Sequence, residues 1–194
     1  MIRRFLQATL PLAVALGLSG CTTASDTDPQ ARFTAALQKE LDNRALARHV
    51  VPALAERHAG SEQGKFWSSY TALEVFQAPR YFAMAEHHDL TPASFKTRIK
   101  GDASLLFSWV FPERFVGSLA KATQAYVEEL RAIPVPPDEQ DAAFRQYMIA
   151  QEEAQVAALA QAAAGRYQAA SDELSAFLSK ARETSNEAVT IGER

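Results

Sequence analysis

The sequence predicts an all-α protein: an up-and-down bundle of about four long, proline-kinked helices. Three observations carry that prediction. Apolar residues recur every three or four positions through most of the chain, and capping residues stand just ahead of those runs. No stretch of any length alternates apolar with polar residues as a half-buried strand does.

The elements follow in order. Asp28-Pro29 offers an N-cap and a proline at the first helical position. Phe33, Leu37 and Leu41 then fall on one face, and Gly60 is a natural stop after a helix reaching about His58. Ser61 caps the next helix, in which Phe66, Tyr70, Leu73 and Gln77 continue an inward stripe to about Glu86. Thr91-Pro92 is a further start signal, followed by Phe95, Ile99, Leu106 and Trp109. Beyond Pro112 the pattern resumes at Phe115, Leu119, Tyr126 and Leu130. The prolines of residues 134–137 require a connection. Asp138 then caps a final helix to about residue 183, with Phe144, Met148, Gln155, Leu159, Ala162, Leu174 and Phe177 roughly on one face. Unbroken, that helix would be about 70 Å long, with a bend at Gly165. Its Ala-rich stretch, 154–164, permits close helix approach. Pro52, Pro79 and Pro112 each predict either a kink or a division, because each removes a backbone donor and crowds the preceding turn.

Ahead of the helices stand a positive flank, Arg3 and Arg4, an apolar run from Phe5 to Leu18, and then Leu18-Ser19-Gly20-Cys21. This is the pattern of a secretory signal, and its apolar run is short for a permanent span, which needs about 20 residues. Leu18-Ser19-Gly20-Cys21 resembles the lipobox of bacterial lipoproteins. The resemblance covers about the first tenth of the chain. It implies cleavage after Gly20 and a diacylglycerol on Cys21, with acylation of the new amine. Two or three acyl chains hold a protein at a bilayer far better than one. In the Gram-negative pattern, Thr22 rather than Asp after the cysteine implies the outer membrane, facing the periplasm. The expected organisation is a signal peptide over 1–20, a lipidated cysteine and flexible tether over 21–30, the helical bundle over 31–184 and a disordered polar tail over 185–194.

Composition narrows the function. The chain has 194 residues and a formal charge of −3, and cleavage would remove Arg3 and Arg4 but no acid, leaving −5 on 174 residues. That length suits one core, and the mild acidity offers no broad basic surface for nucleic acid. The expected membrane contact is the N-terminal lipid. Cys21 is the sole cysteine, so no intrachain disulfide forms and no thiol nucleophile remains once it is lipidated.

Catalytic and cofactor signatures are absent from the sequence. Glu-x-x-His, His-Glu-x-x-His, Gly-x-Ser-x-Gly and a Gly-rich phosphate loop do not occur. His49 and His58, nine residues apart, fall on opposite sides of a regular helix at about 100° per residue. His87 and His88 are adjacent near a helix C-terminus, which favours a cation. Adjacent helical side chains diverge, so only one of the two imidazoles is expected to face a given site. No metal or cofactor is therefore expected.

Two groups of residues stand out. Glu74, Gln151, Glu152 and Gln155 take core-like phases and predict a buried polar network, with Arg80, Arg98 or Arg114 as counter-charge. The alternatives are a polar pocket between helices, a proton-handling acid or simple exposure. Residues 105–115 carry seven large apolar side chains, more than one helix face can hold: Leu105, Leu106, Phe107, Trp109, Val110, Phe111 and Phe115. With Phe76, Tyr81 and Phe82 they form either a mutually buried centre or an exposed partner or ligand patch. The combined reading is a non-catalytic, membrane-tethered module that engages an envelope protein, as an assembly factor, adaptor or inhibitor does. One alternative is a carrier of an apolar small molecule or lipid in a pocket between helices near Trp109. The other is an enzyme using inward carboxylates such as Glu74 and Glu152.

Overall fold

The structure is a computed structural model that describes residues 28–91 and 112–192. Five helices make up the described residues, with no strand among them: α1 (Pro29–Arg57), α2 (Glu62–His87), α3 (Pro112–Arg131), α4 (Glu139–Ala163) and α5 (Tyr167–Gly192). The protein is an all-α helical bundle. The expected signal peptide, Cys21, most of the expected tether and the segment containing Phe107, Trp109 and Phe111 lie outside the described residues.

The start signals work as their chemistry requires. The Asp28 carboxylate accepts the amide of Gln30 at 3.0 Å, that of Asp138 accepts Asp141 at 3.0 Å, and Ser61 Oγ accepts Gly64 at 3.1 Å. Each satisfies an amide that the first helical turn leaves without a partner. The α1–α2 turn is so tight that a Cβ on Gly64 would lie 2.1 Å from the His58 carbonyl oxygen.

Pro52 and Pro79 sit inside continuous helices, so α1 and α2 are not divided there. The final helix differs from expectation. At Gly165 the backbone takes φ +75°, and the Arg166 amide reaches back to Gln161 O at 2.9 Å. That left-handed cap ends the helix outright. The expected 70 Å rod is therefore two helices, with α5 folded back on α4 so that Tyr147 and Phe177 bring their rings within 6.2 Å. The backbone of α5 stays helical to Gly192, so 185–192 continue the last helix where a disordered tail was expected.

Cross-helix contacts give the directions. Gln30 meets Asp141 and Arg44 meets Glu152, so α1 and α4 run the same way. The other three run against them: Phe66, Val116 and Ala170, near the starts of α2, α3 and α5, pack beside Leu54 near the end of α1, while Tyr81, Leu130 and Phe177, farther along those helices, lie toward the end where α1 begins. The core divides into two apolar clusters. One, at the α1–α2 turn, holds Leu54, Phe66, Trp67, Leu73, Leu159 and Leu174. The other, at the opposite end, holds Phe33, Leu37, Leu41, Tyr81, Leu130 and Met148. Each fully buried large side chain contributes roughly 1.5–3 kcal/mol. Between the two clusters lies a belt of buried charge.

Candidate functional site: a buried charged belt

The belt is centred on Arg44, which α1 directs inward two turns after Leu37. Its Nη1 lies 2.7 Å from Glu74 Oε1 of α2, its Nη2 lies 2.6 Å from Glu152 Oε1 of α4, and its Nε lies 3.2 Å from Glu40 Oε2 one turn back. All four residues are at most 4% exposed. A ring of neutral polar groups surrounds them. Tyr70 donates its hydroxyl to Gln155 at 2.5 Å, Tyr81 donates to Gln151 at 2.7 Å, and Gln151 Nε2 donates to Glu152 at 3.2 Å. Gln77, also fully buried, finds no aligned partner among the described residues.

One guanidinium faces three carboxylates, so the belt cannot hold all three ionised without a net negative charge in a low-dielectric interior. Burial pushes the Glu40 carboxyl up to about 8, reinforced by Glu152 and only partly opposed by Arg44. Neither Glu40 oxygen has a well-aligned donor, which suits an acid that keeps its proton at neutral pH. Burial also raises Glu74 and Glu152, with Arg44 pulling both back down. Burial alone would lower Arg44, but the three carboxylates together raise it well above its ordinary value. A neutral Glu40 leaves the guanidinium bridged by two carboxylates, and the nearby half-buried Arg48 also pulls Glu74 down. Burial lifts the Tyr70, Tyr81 and Tyr126 phenols as well, so they stay neutral, and Tyr70 and Tyr81 serve as donors.

Glu74, Gln151 and Glu152 thus meet in one network, and Gln155 pairs with Tyr70 beside it. Their counter-charge is Arg44 rather than the expected Arg80, Arg98 or Arg114. Arg80 instead lies 4.2 Å over the Tyr147 ring, Arg114 is exposed, and Arg98 lies outside the described residues. Glu40 and Arg44 were also missed, although their signal was present. Phe33, Leu37, Glu40, Leu41 and Arg44 all keep one helical phase, so the inward stripe of α1 continues straight through two charged residues.

No protein-family model matches this chain, and comparison with characterised proteins and solved structures finds no significant match.

The aromatic candidates separate. Tyr81 is fully buried and Phe82 is 50% exposed, because neighbouring residues on α2 point to different sides. Phe76 is half-buried, with the Arg182 guanidinium 5.6 Å from its ring, and Phe115 packs at 6.4 Å against Trp67 in the core. These four do not form one patch. What α2 does present outward is Ala72, Val75, Pro79, Phe82 and Ala83, with Val75 65% exposed. Elsewhere, a shallow groove of about 400 Å³ between α3 and α4 is lined by Ala120, Lys121, Gln124, Ala125, Glu128, Val156 and Ala160.

The two adjacent histidines also depart from expectation. His88 is the C-cap of α2 (φ −108°, ψ 13°), where the chain has already left the helix, so helical phase no longer separates it from His87. Their rings meet edge to face at 4.8 Å, and His88 Nε2 lies 2.8 Å from a carboxylate oxygen of Asp141 on α4.

Proposed function

We propose that this chain is a lipid-anchored, non-catalytic helical module at the periplasmic face of the outer membrane, where it engages an envelope protein. The observation that carries the non-catalytic part is the enclosure of the charged belt. Glu40, Glu74 and Glu152 are at most 1% exposed, and Glu74 and Glu152 are occupied by Arg44. A general acid or base must come within hydrogen-bond reach of its substrate, and sealed carboxylates do not. Their role is to fix the register of α1, α2 and α4 against one another.

The anchor rests on Leu18-Ser19-Gly20-Cys21. No helix among the described residues is long and apolar enough to cross a membrane. The partner contact rests on the outward stripe of α2, where Val75, Pro79 and Phe82 expose apolar surface at helical spacing.

Two measurements test the reading. Wild-type cells should yield a membrane-bound protein carrying a diacylglycerol mass, and Cys21→Ser should lose both. Photo-crosslinking amino acids placed at Val75 and Phe82 should capture a discrete envelope protein in intact cells, while one at exposed Lys180 should not. Unchanged membrane partitioning of Cys21→Ser removes the anchor. The same crosslinking pattern from all three positions removes the α2 contact.

A further inference from the structure

The end of the bundle where α1 begins gathers a set of side chains that the belt does not use. His87 and His88 close α2, and Asp141 lies in the first turn of α4. One donor atom from each lies within 4.8 Å of the others. We propose that His87, His88 and Asp141 bind a divalent transition-metal cation of the zinc class, with water completing its coordination.

The donor chemistry favours that class. Two imidazoles and one carboxylate suit zinc and its neighbours, whereas calcium and magnesium prefer all-oxygen shells. The carboxylate is already held in position. Asp141 is 1% exposed, its second oxygen accepts Gln30 Nε2 at 2.5 Å, and its backbone amide is fixed by the Asp138 cap. Such outer partners orient a ligand and reduce what must be ordered when the ion arrives. His88 is nearly as well fixed. The Phe33 ring meets its edge at 5.7 Å, and the turn beneath it is locked by Asp89 at φ +52° and by the Leu90 amide on Ala85 O at 2.8 Å.

His88 Nε2 and Asp141 Oδ1 lie 2.8 Å apart, within hydrogen-bond reach, at the place a cation would take. Ligand atoms about 2.0–2.2 Å from zinc stand roughly 3.3 Å from one another, so this pair opens slightly and His87 swings in. His87 is exposed and free to change rotamer. Because the site joins the end of α2 to the start of α4, an ion there would tie two helices that are distant in sequence.

The test uses the untagged full-length protein purified in detergent and stripped with a chelator. Equilibrium dialysis should find one Zn²⁺ per chain and no comparable Ca²⁺ uptake. Zn²⁺ should raise Tm by several degrees, and Co²⁺ should give visible absorption of a low-coordinate nitrogen–oxygen site. His87→Ala removes an exposed ligand and leaves the fold intact by circular dichroism, yet should weaken binding about tenfold or more. Asp141→Asn should weaken it at least as much, and His49→Ala should not change it. No saturable Zn²⁺ uptake below about 100 µM, or His87→Ala binding as wild type does, overturns the proposal.

Discussion

At Arg44 a single guanidinium spans two carboxylates from different helices, with a third carboxyl at its Nε, all withdrawn from water. Removing one partner of such an arrangement costs about 3–5 kcal/mol, because the charge left behind is both buried and unpaired. Arg44→Met should lower the unfolding free energy measured by urea titration by that amount, and Glu74→Gln with Glu152→Gln in the same chain should restore much of it. If the triple variant is no more stable than Arg44→Met, stranded charge is not the cause. Glu40 makes a separate prediction. Its carboxyl is pushed up to about 8 in the fold from an ordinary value near 4.5. The folded state therefore holds a proton that the unfolded chain gives up. That stabilisation is complete below the unfolded value and is lost as pH rises through about 8. Glu74 and Glu152, also raised, act in the same direction. Stability should fall by the order of a few kcal/mol between pH 5 and pH 8.5. Glu40→Gln should flatten much of that fall, whereas a midpoint that climbs with pH would mean Glu40 is ionised in the fold.

Among the elements, the turns decide more than the helices do. Gly165 adopts φ +75° with open space around it, so the cost of a side chain there is conformational rather than steric. Gly165→Ala should lose about 1 kcal/mol in thermal unfolding. Gly64 is the opposite case. Its φ is ordinary, but a Cβ would meet the His58 carbonyl at 2.1 Å. Gly64→Ala should force the α1–α2 turn apart and cost about 1–3 kcal/mol or more. Similar Tm values for Gly64→Ala and wild type would show that the turn yields freely. Helix starts were legible because capping is local chemistry between a side chain and an amide two or three residues on. The break at Gly165 was legible only as a bend. A glycine marks where a left-handed turn is possible, while the return of α5 onto α4 depends on distant partners, Leu174 beside Leu159 in the core and Phe177 against Tyr147 among them.

Across the molecule, the two apolar clusters and the charged belt divide their tasks. The clusters supply the burial, and the belt ties α1, α2 and α4 in one alignment. The outward stripe of α2 belongs to neither, so Phe82→Asp should change stability by less than about 0.5 kcal/mol. In the proposed reading it should also abolish crosslinking from Val75. A large loss of stability in that variant would instead make Phe82 a structural residue, held through its contact with Arg48 at 5.2 Å.

Helix class, capping positions and the inward phase of Glu74, Gln151, Glu152 and Gln155 came from the sequence alone, because periodicity and capping act over one or two turns. Tertiary structure decided which groups answer them. Arg44 meets Glu152 across 108 positions and His88 meets Asp141 across 53. No local pattern encodes such pairings, since they depend on which helix faces which and at what height. The same holds for Tyr81 and Phe82. Adjacent in sequence and alike in chemistry, they part into core and surface because the bundle covers only one side of α2.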